Sequence, residues 1–189
     1  DFFASYSLDV EEFALDYFPQ YYAIPYPGDK LDMIAIPDFA WGAMENLGAI
    51  TFRETALLID RRRATQEELV RVADVIAHEI AHMWFGDLVT MKWWNGIWLN
   101  EAFASWMAWS IIERLYPEFD SQLTLPQASA FAADESTASK AIRRTVRTSD
   151  EVFEGAGLNY TKGRALLRML EAYVGPDDWQ ASIRKYLER

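Results

Sequence analysis

The sequence predicts an α+β domain, with a small mixed β/α lobe over residues 1–63 followed by a mainly helical lobe over residues 64–189. Two observations carry this. In the front third the apolar runs are short and bounded by proline and glycine, as at Ile24-Pro25-Tyr26-Pro27-Gly28 and Pro37, which marks brief strands and turns. From Thr65 the pattern changes, because Thr65 and Glu68 form a capping box and Leu69, Val72, Val75, Ile76 and Ile80 recur with helical spacing.

In order, a first helix is expected from Asp9, three residues before Glu12 in a capping pattern, to about Tyr22, ended or kinked by Pro19. A strand follows from Leu31 to Ile36, and a second from Leu47 through Phe52 that continues over Ala56 to Ile59. The next helix is expected from Gln66 to Phe85, with Gly86 as its left-handed stop. Another runs from about Leu99 to Leu115, followed by Pro117. Further helices are expected from about Asp120 to Asp134, from Tyr160 to Val174, and onward from Pro176.

A chain of 189 residues, 51% of them apolar, can bury one substantial core, so residues 1–189 read as a single domain. Without cysteine it can form no disulfide, which fits a reducing compartment and a cytoplasmic location. The stretch has no leader pattern and no apolar run of membrane-spanning length. Asp1 is not a natural start, so the chain is expected to be cut at both ends from a longer parent. A net charge of −11 argues against nucleic acid as a partner, and the one basic run, Arg61-Arg62-Arg63, reads as a solvated loop. Six of the eight tryptophans fall between Trp84 and Trp109, which reads mainly as packing around two helices.

The chemistry concentrates at Ala77-His78-Glu79-Ile80-Ala81-His82, which holds both histidines of the chain. Positions four apart share a helix face, so the two imidazoles can meet one metal ion, with Glu79 beside it. Glu101, in the first turn of the next expected helix, can close the site. Three protein ligands leave a fourth position for water, which distinguishes a catalytic zinc from a closed structural one. His78, His82 and Glu101 are therefore the expected ligands of one Zn2+ per chain, and Glu79 the general base. The bare pattern arises by chance in roughly one chain in a hundred of this size, so its context decides.

That context includes Gly42-Ala43-Met44-Glu45-Asn46 upstream and Tyr160-Thr161-Lys162-Gly163 downstream. Together these motifs resemble those of the aminopeptidase N-type zinc metallopeptidases, the gluzincins, from roughly Phe13 to Leu187. The resemblance implies a thermolysin-like zincin catalytic domain and hydrolysis of the N-terminal bond of peptides with a free N-terminus. It makes Tyr160 a transition-state donor and Glu45 the anchor of the substrate's amino group. Gly42, Ala43, Met44 and Asn46 complete the substrate-binding run.

Departures from the family pattern stand at Gly96, where an acidic residue is common, at Ala102, where glycine is common, and at Trp41, where a smaller residue is common. Trp41 bears on side-chain preference. The family's members are longer, with further domains, which makes additional domains of the parent chain expected partners. Other readings are a zinc endopeptidase, a catalytically silent zinc-bearing module, and a bifunctional hydrolase acting on a lipid epoxide.

Overall fold

The computed structural model describes residues 2–118, 131–132, 134–135, 140–153 and 156–188. The helix expected from about Asp120 to Asp134 lies, apart from its end, outside the described residues.

Tyr6, Val10, Ala14, Phe18 and Tyr22 recur every fourth residue, and all are buried along one stripe of helix α1 (Ser5–Tyr22). The helix starts before Asp9. That carboxylate accepts from the Arg61 guanidinium at 2.7 Å instead of capping, while the Ser7 hydroxyl donates to the Leu57 carbonyl. Pro19 does not end the helix, which continues until Ala23 turns left-handed at φ 58°. Its last carbonyls are satisfied from the C-terminal helix, where Arg184 donates to Tyr21 at 2.7 Å and to Gln20 at 2.9 Å.

Three strands follow, β1 (Asp32–Ile36), β2 (Ala43–Met44) and β3 (Ala49–Arg53), in the order β1-β3-β2. β1 lies parallel to β3, and β2 antiparallel to it with Ala43 opposite Phe52. Strand β2 has no counterpart in the sequence expectation, because two residues are too short to show a period. The expected continuation over Ala56 to Ile59 is also wrong, since Glu54–Leu57 forms the one-turn helix α2. The reason is pairing with a segment distant in sequence. Ser7 binds the Leu57 carbonyl and Ile59 N–H donates to the Phe3 carbonyl at 3.0 Å, so the N-terminal segment satisfies this backbone.

Helix α3 (Gln66–Ala81) begins at the Thr65 and Glu68 capping box, with both reciprocal bonds formed. It ends four residues before the expected Phe85. From Met83 the bonds tighten, with Met83 N–H on the Ile80 carbonyl at 3.1 Å and Trp84 N–H on the Ala81 carbonyl at 3.2 Å. Gly86, at φ 146°, then turns the chain away, and a β-carbon there would stand 2.8 Å from Asn100 Oδ1.

A 3₁₀ turn at Trp94–Gly96 leads into helix α4 (Ile97–Leu115), two residues ahead of expectation. Helix α5 (Ser149–Phe153) precedes helix α6 (Ala156–Val174), and helix α7 (Pro176–Leu187) opens on its proline. Tyr160 thus lies inside α6 and not at its start. Helix α4 is the centre of the core, with Ala102, Ala104, Met107, Ala108, Ile111 and Ile112 fully buried. Such all-round burial explains why α4 lacks an apolar stripe. Trp84, Trp106 and Trp109 join this core, whereas Trp93 and Trp94 remain exposed. The arginine run is engaged locally, with Arg62 over the Phe2 ring and Arg62 and Arg63 near Asp60. Among the described residues no helix is long and apolar enough to cross a membrane.

Helices α4 and α6 pack tightly where Gly163 faces Ala102. A β-carbon at Gly163 would lie 2.6 Å from the Ala102 side chain, so one of these positions must carry no side chain. Gly163→Ala is expected to destabilise the protein by about 1–3 kcal/mol through overpacking, read as a lowered urea midpoint with unchanged slope.

Candidate active site

Helix α3 presents His78 and His82 on one face, and the first turns of α4 bring Glu101 against them. The two Nε2 atoms are 3.0 Å apart, and Glu101 Oε2 lies 3.2 Å from His78 Nε2 and 3.6 Å from His82 Nε2. A tetrahedral zinc with bonds of about 2.0–2.1 Å spaces its ligand atoms about 3.3–3.4 Å apart. The three atoms are spaced as such an ion would need. This donor set, two imidazole nitrogens and one carboxylate oxygen, also suits zinc chemically.

Both rings are oriented for this from their far sides. His82 Nδ1 donates to the Phe85 carbonyl at 2.9 Å, so that in the neutral ring the lone pair is on Nε2. His78 Nδ1 lies 3.3 Å from Ser105 Oγ, which turns its Nε2 to the same point. The end of α3 at Ala81 thus has a use, because an α-helical Phe85 would keep its carbonyl along the helix axis and away from the imidazole. Gly86 makes room for this arrangement, since its missing side chain would stand 3.3 Å from His82 Nδ1.

Around the imidazoles lies an excess of carboxylates. Glu79 is 6% exposed, and burial pushes its carboxyl up to about 7, with Glu45 and Glu101 adding to the effect against the two histidines. For His82 burial opposes the charged form, but Glu101, Glu45 and Glu79 overcome it and lift the imidazole to about 10. Burial likewise opposes charge on Glu101, and the two imidazoles reverse it and hold that carboxyl well below its usual range. The site therefore favours positive charge at the convergence of the Nε2 atoms.

Glu45 comes in from the end of β2. Its Oε1 is 3.9 Å from His82 Nδ1, and Glu45, Glu79 and His82 form a second group whose donor atoms lie within 4.8 Å of one another. Glu45 approaches the imidazole from its Nδ1 side, where that nitrogen is already given to Phe85. Tyr160 arrives from α6, with its ring centroid 5.6 Å from that of His78. Burial, then the charge of Glu101, pushes its phenol far above the usual range, so it stays a hydrogen-bond donor.

The rest of the upstream run has other tasks. The Gly42 carbonyl accepts from Arg53 N–H at 2.9 Å, and the alternation of an antiparallel ladder then turns the Ala43 N–H and carbonyl to the free edge. Met44 is 42% exposed on that edge, and Asn46 serves the turn, its N–H on the Met44 carbonyl at 3.0 Å. Trp41 is exposed beside them.

Sequence reasoning missed Ser105, the Phe85 carbonyl and Asp87. A serine in an apolar helix one turn after Glu101 was a readable signal for the first. The other two depend on where α3 stops. Burial and then Glu45 raise the Asp87 carboxyl to about 6, adding to the acidity of this corner. Ser105→Ala is expected to weaken divalent-metal binding about 10-fold to 100-fold, measured by competition with a chelator, because it frees the His78 ring to turn.

The chain matches the family model described as the Peptidase family M1 domain over residues 6–189. It is similar to "Aminopeptidase M1-A" of Oryza sativa subsp. japonica, 44% identical over 187 residues covering 97% of this chain and 21% of that protein. "Probable aminopeptidase 2" of Sulfurisphaera tokodaii is 45% identical over 186 residues, covering 96% of this chain and 24% of that protein. "Leucyl aminopeptidase" of Saccharolobus solfataricus is 43% identical over 188 residues, with 97% and 24% covered. The chain spans 21–24% of the length of these relatives. A model match across nearly the whole chain, joined to a His78, His82 and Glu101 cluster on two packed helices, means that this chain belongs to peptidase family M1.

Proposed function

We propose that this chain is the thermolysin-like catalytic domain of a zinc aminopeptidase, comprising residues 1–63 and 64–189 as two lobes, which removes N-terminal residues from peptides. The observation that carries this reading is the convergence of Glu45 on the ligand cluster, 3.9 Å from His82. A hydrolase that cuts within chains has no ammonium to place there.

His78, His82 and Glu101 would hold one Zn2+. When bound, zinc acidifies water to a pKa of about 7 and polarises a carbonyl. Glu79 then supplies the proton transfers. Its carboxyl, raised by burial, can accept a proton from water and return it to the leaving amine. Tyr160 keeps its phenolic proton and donates a hydrogen bond to the substrate oxygen that gains negative charge. Glu45 fixes the register by meeting the substrate ammonium.

Strand β2 supports an extended substrate. Its outward Ala43 groups offer one backbone pair to a peptide laid along the edge, and the space beside Gly42 holds nothing within 4 Å of a would-be β-carbon. Peptides with a free N-terminus are the substrate class this arrangement fits, and further domains of the same parent chain are its proposed partners.

Metal analysis of the purified protein is expected to give one zinc per chain, and no uptake of zinc at all would remove the basis of the reading. Glu79→Gln is expected to retain that zinc while kcat falls by several orders of magnitude, because the base is lost and the ligands stay. Retained turnover would assign the proton transfers to another group.

Loss of a charge-assisted bond to a partly dry ammonium costs about 2–5 kcal/mol. Glu45→Ala in the full-length protein is therefore expected to lower kcat/KM on free-amine peptides by roughly 10²-fold or more, with zinc still bound. N-acetylated peptides should be poor substrates of the unmutated enzyme. If they are cut as fast as free peptides, and Glu45→Ala changes neither rate, the endopeptidase reading replaces this one.

A further inference from the structure

Three helices each bring two side chains, one turn apart, to the same junction. Helix α3 carries Asp74 and His78, helix α4 carries Ser105 and Trp109, and helix α6 carries Tyr160 and Arg164. His78, Ser105 and Tyr160 meet at the candidate site, at 3.3 Å from His78 Nδ1 to Ser105 Oγ and 5.6 Å between the His78 and Tyr160 rings. One turn behind them Arg164 lies over the Trp109 ring, and Asp74 acts on it by charge without a direct ion pair.

Arg164 is 8% exposed, and its guanidinium carbon stands 4.7 Å from the Trp109 ring centroid. Asp74 supplies the opposite charge. Burial raises the Asp74 carboxyl and lowers the Arg164 guanidinium, and the charge of each only partly offsets the burial of the other. Asp74 Oδ1 is buried and makes no hydrogen bond. Burying a guanidinium and a carboxyl that are not directly paired is unfavourable, and apolar residues of similar volume often fold as well or better, so stability alone does not account for them. The proton transfers assigned to Glu79 and the hydrogen bond assigned to Tyr160 use neither charge.

We infer that Arg164, seated over the Trp109 ring, is a positioning residue that sets Tyr160 beside His78. The inference rests on the proposed role of Tyr160. Residues 160 and 164 lie on one face of α6, so any roll or slide of the helix moves both together. The far end of α6 is fixed by Arg168 on Glu113 at 3.3 Å and by Trp106 Nε1 donating to Glu171 at 2.9 Å. Near Tyr160 the Gly163 contact with Ala102 sets the distance between helices but has no direction. The cation over Trp109, drawn toward Asp74, supplies the direction.

A double-mutant cycle tests this in the full-length enzyme. Tyr160→Phe is expected to lower kcat by about 10²–10³-fold, as for loss of one oxyanion donor. Arg164→Met is expected to lower kcat by about 10-fold to 10²-fold, the scale of a 1 Å misplacement, with KM and zinc content unchanged. In the Tyr160→Phe background the same change should cost less than about 2-fold, because the group it positions is already gone. Arg164→Lys should recover part of the rate.

Equal losses from Arg164→Met in both backgrounds, or a rise in KM alone, would overturn the positioning role while leaving Tyr160 as donor. A Tyr160→Phe enzyme with intact kcat would overturn the donor assignment, and the positioning role with it. If Arg164→Met does not fold, Asp74→Asn in the same two backgrounds reads the same coupling: non-additive losses support the role and additive losses refute it.

Discussion

Everything at this site depends on how closely α3 can lie against α4. His78 and His82 define a point on one helix, and Glu101 reaches it from the other only because the helices are thin where they pack. Ala73, Ala77 and Ala81 are fully buried on α3, and Ala104 and Ala108 on α4. Small side chains bring the backbones together, and the Glu101 oxygen then stands 3.2 Å and 3.6 Å from the two imidazole nitrogens. Larger residues would separate donor atoms whose usefulness depends on tenths of an ångström. The aromatic residues fill the outside of this contact, as where Phe85 stacks on Phe103 at 4.1 Å.

The electrostatics follow from the same closeness. Glu45, Glu79, Asp87 and Glu101 are gathered around two imidazoles, and the shifts of Glu79, Asp87 and His82 toward their protonated forms show that this corner favours added positive charge. Two cations fit the proposed chemistry, a metal at the Nε2 atoms and a substrate ammonium at Glu45. The overall charge of −11 is thus less informative than its local arrangement, since most acidic residues elsewhere face solvent. Tyr160 takes part without charge. The same carboxylates that attract cations keep its phenol protonated, so one field serves both the ions and the hydrogen-bond donor.

The elements with long period were legible. Helix α3 announced its start by the Thr65 capping box and its face by the recurrence from Leu69 to Ile80. Helix α7 announced itself by Pro176. The misreadings share a cause. Asp9 looked like a cap but pairs with Arg61, 52 residues away, and Ala56 to Ile59 looked extended but gives its backbone bonds to the N-terminal segment. Strand β2, which carries Glu45 to the site, is two residues long and exists only because Phe52 and Thr51 lie opposite. Pairing between distant segments overrode local pattern each time, since short segments have little preference of their own.

By itself the sequence determined which groups share a helix face. Helical spacing brings His78 and His82 together wherever that helix packs, and the same geometry joins Tyr160 to Arg164 and Asp74 to His78. Tertiary structure alone decided which of these pairs face one another. The stop of α3 at Ala81 turned the Phe85 carbonyl toward His82, the packing of α4 selected Ser105 as the partner of His78, and α6 brought Tyr160 to 5.6 Å from the same ring. Spacing along one element follows from the repeat of the backbone. Distance between elements is set by the side chains packed between them, which no local stretch of sequence records.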